Sequence, residues 1–248
     1  MEYVTLEEAL EISDEDDDWR RFQVSYPISA VGNFSLERFS IPRDDKGRAK
    51  ILQREGLARD PGWGDFTRLI ETLDKPGEED DKKRLVWMSD TKAEISEHYP
   101  LFNEVMSISP KRILINGLGL GVAVHGALQF KDIQHVDVVE INPDVIELVG
   151  QYVTEDPRVT IHLADAYEIK WPKGTSWDLA WHDIWPTIDD GNVQDMKRIM
   201  SKYRNRAGWQ DCWQMESCRK MADVIRRIQN GTMPLEEAMY YAVGGFPH

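Results

Sequence analysis

The sequence predicts an α/β protein built on a parallel, helix-covered sheet. From residue 84 to about 186, short apolar runs alternate with helical segments at the spacing of βαβ units. One run, Arg112–Asn116 (RILIN), passes directly into Gly117-Leu-Gly-Leu-Gly121 and then a helical stretch. A doubly buried strand feeding a glycine turn and a helix is the order found where open α/β sheets hold phosphate-bearing or nucleoside ligands.

The elements follow in order. In residues 1–83, an N-terminal α+β region, the capping box Thr5-Leu-Glu-Glu8 opens a first helix, and an acidic run follows at 14–18. Phe22–Ile28 and Phe34–Ile41 read as short strands, 60–64 (DPGWG) as a turn, and 75–83 (KPGEEDDKK) as a solvated loop. From residue 84 onward, Arg84–Met88 is a strand and Lys92–Val105 a helix, followed by the strand Arg112–Asn116 and the helix Val122–Phe130. His135–Ile141 is the next strand. Asn142 is an N-cap, and Pro143, which lacks a donor no first-turn residue needs, opens a helix to about Val153. Val159–Asp165 and Trp177–Ile184 complete four strands. Residues 187–248 read as helical, with Val193, Met196, Ile199 and Tyr203 on one face and Cys218, Met221, Ala222, Ile225 and Ile228 on another. A short fifth strand fits near Trp209–Trp213, and no sixth or seventh is evident, so the sheet reads as truncated at its C-terminal end. The last helix is expected over 234–242.

Composition narrows the function. Among 248 residues, 44 acids and 30 bases give a formal charge of −14, which repels phosphate backbones at long range, so nucleic acid is not the expected partner. Nine acids crowd residues 1–20, while 197–227 carry nine bases that read as a solvated helix face pairing with acidic regions. Two cysteines make neither a disulfide framework nor a zinc site, and no metal is expected. No apolar run reaches membrane-spanning length, and MEYVTLEEAL lacks the pattern of a signal peptide, so a cytoplasmic protein is expected.

Chemistry concentrates at the strand ends. Gly117, Gly119 and Gly121 let backbone approach a ligand, in a G-x-G-x-G spacing that is not the dinucleotide form. Glu140 ends the second strand 23 residues after Gly117, where a carboxylate can accept both hydroxyls of a ribose. Asp165 and Ala166 end the third strand, placed for an adenine amine, and Asp183 ends the fourth. Asp90, Glu94 and His98 share one face of the helix leading to this edge and are candidates for an acceptor pocket. His182 is a further candidate, although neighbouring strand residues point to opposite faces. Among the tryptophans of the C-terminal half, Trp185 is the one expected in the site, where its ring can face a cation.

This constellation resembles the class I S-adenosylmethionine-dependent methyltransferase superfamily, and most of all its spermidine-synthase-like branch. The aliphatic Ile115 two residues before the glycine turn is similar to that branch, as are the strand and helix that precede it. The resemblance implies a Rossmann-like methyltransferase sheet in an adenosyl-binding domain over 84–248, with a helical C-terminal extension. It implies S-adenosylmethionine, or its decarboxylated form, bound by Gly117, Leu118, Gly119, Gly121, Glu140, Ile141, Asp165, Ala166, Asp183 and Trp185. Two departures stand out: Leu120 replaces the family's aspartate for the cofactor amine, and Pro186 replaces a second aspartate at the fourth strand. The segments 88–94, 115–121, 182–186 and 209–213 also resemble methyltransferase-like proteins common in phage genomes.

The expected activity is methyl transfer to an unnamed acceptor, with Asp183 orienting or deprotonating it. Aminopropyl transfer from the decarboxylated cofactor is the first alternative. An adenosyl-nucleotide binding or sequestering protein without turnover is the second. The small adenosyl ligand is the one expected partner, and a homo-oligomer is left open.

Overall fold

The computed structural model describes residues 18–43, 61–73 and 83–234. Its centre is β5 (Arg112–Asn116), flanked by β6 (His135–Glu140) and β8 (Trp177–His182), with β7 (Val159–Leu163) and β9 (Ala207–Cys212) outside them. The order β7-β6-β5-β8-β9 is parallel throughout. Alternation along the strands splits the core in two. Ile113, Ile115, Val136, Val138, Leu179 and Trp181 face one cluster, while Leu114, Val139 and Ala180 face the other.

Helices cover both faces. On the first lie α2 (Tyr99–Ile108), α3 (Val122–Leu128) and α4 (143–153), through residues such as Phe102, Val124 and Leu148. On the second lie α5 (Asn192–Tyr203) and α6 (Met215–Gln229). The four expected α5 residues Val193, Met196, Ile199 and Tyr203 are all buried. Burial of an aliphatic side chain of this size contributes roughly 1.5–3 kcal/mol, so Ile199→Ala, which also opens a cavity, would cost about 2–5 kcal/mol. On α6 the face holds at Cys218 and weakens along the helix, where Ile228 is exposed and Val224 is buried instead.

A second sheet, antiparallel in the order β1-β2-β3-β4, comprises β1 (Ser29–Val31), β2 (Phe34–Ile41), β3 (Gly64–Leu73) and β4 (Lys83–Ser89). It is not a separate core: Phe34, Leu36, Phe66 and Leu69 belong to the same buried cluster as α2, α3 and α4.

Several expectations are corrected. Phe22–Ile28 is not a strand; a 3₁₀ turn (Asp18–Phe22) leads into irregular chain. Its backbone groups are met by side chains instead of a ladder: Val24 N–H donates to Asp90 Oδ2 at 3.1 Å, and Thr67 Oγ1–H donates to Val24 C=O at 3.1 Å. β3 had no counterpart in the sequence reading. A register shift between Leu69 and Ile70 buries both neighbours and breaks the period-2 pattern by which a strand is read. β4 pairs antiparallel with β3 and does not enter the parallel sheet. The helix expected over Lys92–Val105 is two, α1 (Lys92–Glu97) and α2, meeting at His98. Pro100, at the start of α2, has no N–H to continue the α1 ladder. Asn142 caps α4 as expected, its side chain accepting from Asp144 and Val145 N–H, and a π-helical turn interrupts that helix at Ile146–Gly150. Gly208 lies in β9. The capping box at residues 5–8, the acidic run up to residue 17, the 75–82 loop and the helix expected after 234 lie outside the described residues.

Candidate functional site

A cavity of about 540 Å³ opens at the carboxyl edge of the parallel sheet, and every strand of that sheet ends in it. Gly117 follows β5, Glu140 and Ile141 end β6, Asp165 and Ala166 follow β7, Asp183 follows β8, and Trp213 follows β9. The facing wall comes from β4 and α1, with Trp87, Met88, Glu94, Glu97 and His98. Trp185 and Pro186 close one side. Parallel strands all point their carboxyl ends one way, so residues spread over about a hundred positions of sequence meet at one edge.

The glycine turn is shaped as much by the protein as by the cavity. Gly117 has φ +98°, and a Cβ there would stand 1.8 Å from the Asp183 carbonyl oxygen. At Gly119, φ is +49° and a Cβ would lie 2.3 Å from Met88 Sδ. A backbone carbonyl therefore excludes any side chain at Gly117, whereas at Gly119 it is the positive φ that disfavours one, Met88 being a flexible neighbour. Leu118 and Gly121 belong to the turn but do not line the cavity; Leu118 is buried.

Glu140 is buried at the cavity floor and braces the turn. Its Oε2 accepts Leu118 N–H at 2.9 Å and its Oε1 accepts Asn142 N–H at 2.8 Å. Each carboxylate oxygen has a second lone pair, so the group retains acceptor capacity toward the cavity. Asp165 Oδ1 accepts Tyr167 N–H at 2.7 Å, leaving Oδ2 for the cavity.

The acids crowd at the other end. Burial pushes the Asp183 carboxyl up to about 8, helped by the negative charges of Glu97, Glu94 and Glu140. Burial likewise lifts Glu94 to about 7, against hydrogen bonds from Ser89 N–H at 2.5 Å and Ser89 Oγ at 2.8 Å. Glu97 Oε2 accepts the Trp213 indole N–H at 2.8 Å. His98 Nε2 stands 4.0 Å from Asp183 Oδ2, beyond hydrogen-bond reach. Burial lowers the imidazole to about 4, so it is neutral at pH 7, and its Nδ1 has no hydrogen-bond partner among the described residues.

Two expected acceptor-pocket residues lie elsewhere. Asp90 is buried away from the cavity, its Oδ1 accepting Thr67 N–H at 2.6 Å and its Oδ2 Val24 N–H. It stitches irregular chain to β3 because those two amides lack ladder partners. His182 is fully buried on the other side of β8. Asn116 Nδ2 lies 2.7 Å from its Nδ1, and Gln210 Oε1 lies 3.1 Å from its Nε2, a chain that fits a neutral Nε2–H ring. Strand alternation, which turns Asp183 into the cavity, turns His182 away. Conversely, Trp87, Met88 and Glu97 line the cavity without having been named as site residues, and Trp213, expected in the core from sequence, lines it as well. For Glu97 the only available signal was its place one residue before His98.

The described residues contain no cluster of three potential metal ligands and no helix long and apolar enough to cross a membrane.

Comparison with known proteins adds the ancestry. A polyamine aminopropyltransferase of Prochlorococcus marinus (strain MIT 9515) is 33% identical over 180 residues, 65% of this chain and 62% of that protein. That of Clostridium acetobutylicum is 30% identical over 131 residues, 46% of each chain. The chain is a distant homologue of the polyamine aminopropyltransferases. The matches span less than two thirds of the length of these relatives. The fold of this aminopropyltransferase homologue is class I methyltransferase-like, a five-stranded parallel Rossmann-like sheet preceded by a four-stranded antiparallel one. Solved structures similar to it include a putative caffeoyl-CoA O-methyltransferase of Staphylococcus aureus (TM-score 0.35, 19% identity, 44% of this chain and 51% of that one). No family model matches the chain.

Proposed function

We propose that the protein transfers an alkyl group from an adenosyl sulfonium to a small cationic amine. Aminopropyl transfer from decarboxylated S-adenosylmethionine is the reaction this pocket suits best. One observation carries the reading: the cavity is lined by Glu94, Glu97, Glu140, Asp165 and Asp183 and, among the described residues, by no lysine or arginine. A sulfonium and an ammonium are both stabilised there, whereas the carboxylate of intact S-adenosylmethionine meets like charge and no basic side chain. Trp87, Trp185 and Trp213 add π faces that attract alkylated cations. The names of the relatives point the same way.

In this reading Glu140 takes the ribose hydroxyls, with Asp165 and Ala166 at the adenine edge beside Ile141. Glu94 and Glu97 hold the ammonium groups, standing in for the carboxylates absent at Leu120 and Pro186. The donor supplies an electrophilic carbon on its sulfonium. The acceptor nitrogen forms a bond to that carbon as the carbon–sulfur bond breaks, and the pair of electrons leaves on a neutral thioether. Asp183 takes the proton the nitrogen sheds. A carboxyl with a pKa of about 8 in the empty pocket is drawn down by bound cations, which readies the carboxylate when both substrates are present.

Methyl transfer, the expectation from sequence, is the second reading. Leu120 favours it, because it departs from the aspartate that the aminopropyltransferase resemblance implies at this position. Incubation with each donor and a panel of diamines and polyamines separates the two. Methylthioadenosine released from the decarboxylated donor supports aminopropyl transfer, and S-adenosylhomocysteine released from the intact donor overturns it in favour of methyl transfer. Donor binding with no product from any acceptor leaves a binding protein and overturns both.

A further inference from the structure

The side chain of Met88 enters the glycine turn. It projects from β4 into the cavity wall, and Leu120 donates its backbone N–H to Met88 Sδ at 2.8 Å. The same sulfur occupies the space over Gly119, where even one added carbon would stand 2.3 Å away. A thioether is a weak acceptor, so this amide is covered by a partner that satisfies it poorly. Glu94, one helix turn from the β4 end, is tied to that strand end through Ser89.

Leu120 is fully buried and does not line the cavity, so its amide lies behind Met88, and the titratable side chains on the cavity side of that sulfur are acids and a neutral His98. We infer that Met88 is the residue that selects the donor: its thioether fills the space and covers the amide that a carboxylate on the donor's tail would need. The pocket thereby accepts a tail ending in an ammonium and rejects one that also carries a carboxylate. This inference rests on the adenosyl-donor reading above and adds a determinant to it. Discrimination of this kind is built from an unfavourable contact with the wrong ligand as much as from a favourable one with the right ligand.

Calorimetry with three ligands tests it: decarboxylated S-adenosylmethionine, S-adenosylmethionine and methylthioadenosine, which has no amino-acid tail. The wild type should bind the decarboxylated donor at least tenfold more tightly than the intact one. Met88→Ala should narrow that ratio about tenfold while leaving methylthioadenosine affinity within threefold. Met88→Val, shorter than methionine and well suited to a strand, should narrow it too, and decides the matter if the alanine variant loses methylthioadenosine binding. An unchanged ratio in a variant that still binds methylthioadenosine overturns the role of Met88 and leaves the adenosyl site standing. Failure of the wild type to bind methylthioadenosine overturns the adenosyl site itself, and the inference with it.

Discussion

Leu118 donates its backbone N–H to Glu140 Oε2 at 2.9 Å, so the acid at the end of β6 holds the turn at the end of β5 in shape. The glycine turn and the carboxylate, 22 residues apart in sequence, form one unit. Glu140→Gln keeps the shape and one acceptor oxygen but removes the charge. It should weaken methylthioadenosine binding by about 1.5–3 kcal/mol, roughly ten- to hundredfold, the scale of a hydrogen bond to an ionised group. Calorimetry reads this directly, and an unchanged affinity would remove Glu140 from the ligand.

Asp183→Asn separates proton transfer from binding. Turnover should fall about 10²-fold or more, while donor affinity changes by less than about tenfold. The wild-type rate at saturating donor should rise with pH on a limb set by Asp183, and the variant should lack that limb. Equal losses of affinity and rate would instead make Asp183 a ligand of the donor.

Stability should fall as pH rises above neutral. Asp183, Asp90 and Glu94 have their carboxyls raised to about 8, 7 and 7, mainly by burial, so the native state holds protons that the unfolded chain has already released. Their contribution is present in full below the unfolded values near 4 and is lost as pH rises through 7 to 8. Between pH 6.5 and 8.5, Asp183→Asn should remove about 1–2 kcal/mol of that loss by proton linkage. Urea denaturation at the two pH values checks it; an equal fall in both proteins would mean that Asp183 is ionised in the ligand-free protein.

Asp90→Ala should destabilise the fold without touching the ligand. It strands the buried amides of Val24 and Thr67, each of which costs about 1–3 kcal/mol when left unpaired. The denaturation midpoint should drop while methylthioadenosine affinity in the folded protein stays within threefold. A selective loss of ligand affinity would return Asp90 to the pocket.

Much of this was written locally. Arg112–Asn116 is apolar because it is buried on both faces, and Asn142-Pro143 marks the start of a helix through backbone chemistry that needs no distant partner. The strand ends then place Glu140, Asp165 and Asp183 at one edge, because parallel strands share a direction. Tertiary structure decided the rest. The bulge in β3 and the break at His98 follow from packing and from a proline near a helix start, and both distort the periodicities by which elements are read. The side of β8 that opens to the cavity cannot be known from alternation alone, which explains why His182 was a candidate and proved buried. Glu97 and Trp213, 116 residues apart, become neighbours only because β9 joins the sheet next to β8 and its end reaches α1. Sequence alone determined the direction of the sheet and the acids at its edge; the depth, charge and far wall of the pocket are properties of contacts between segments, and no single segment encodes them.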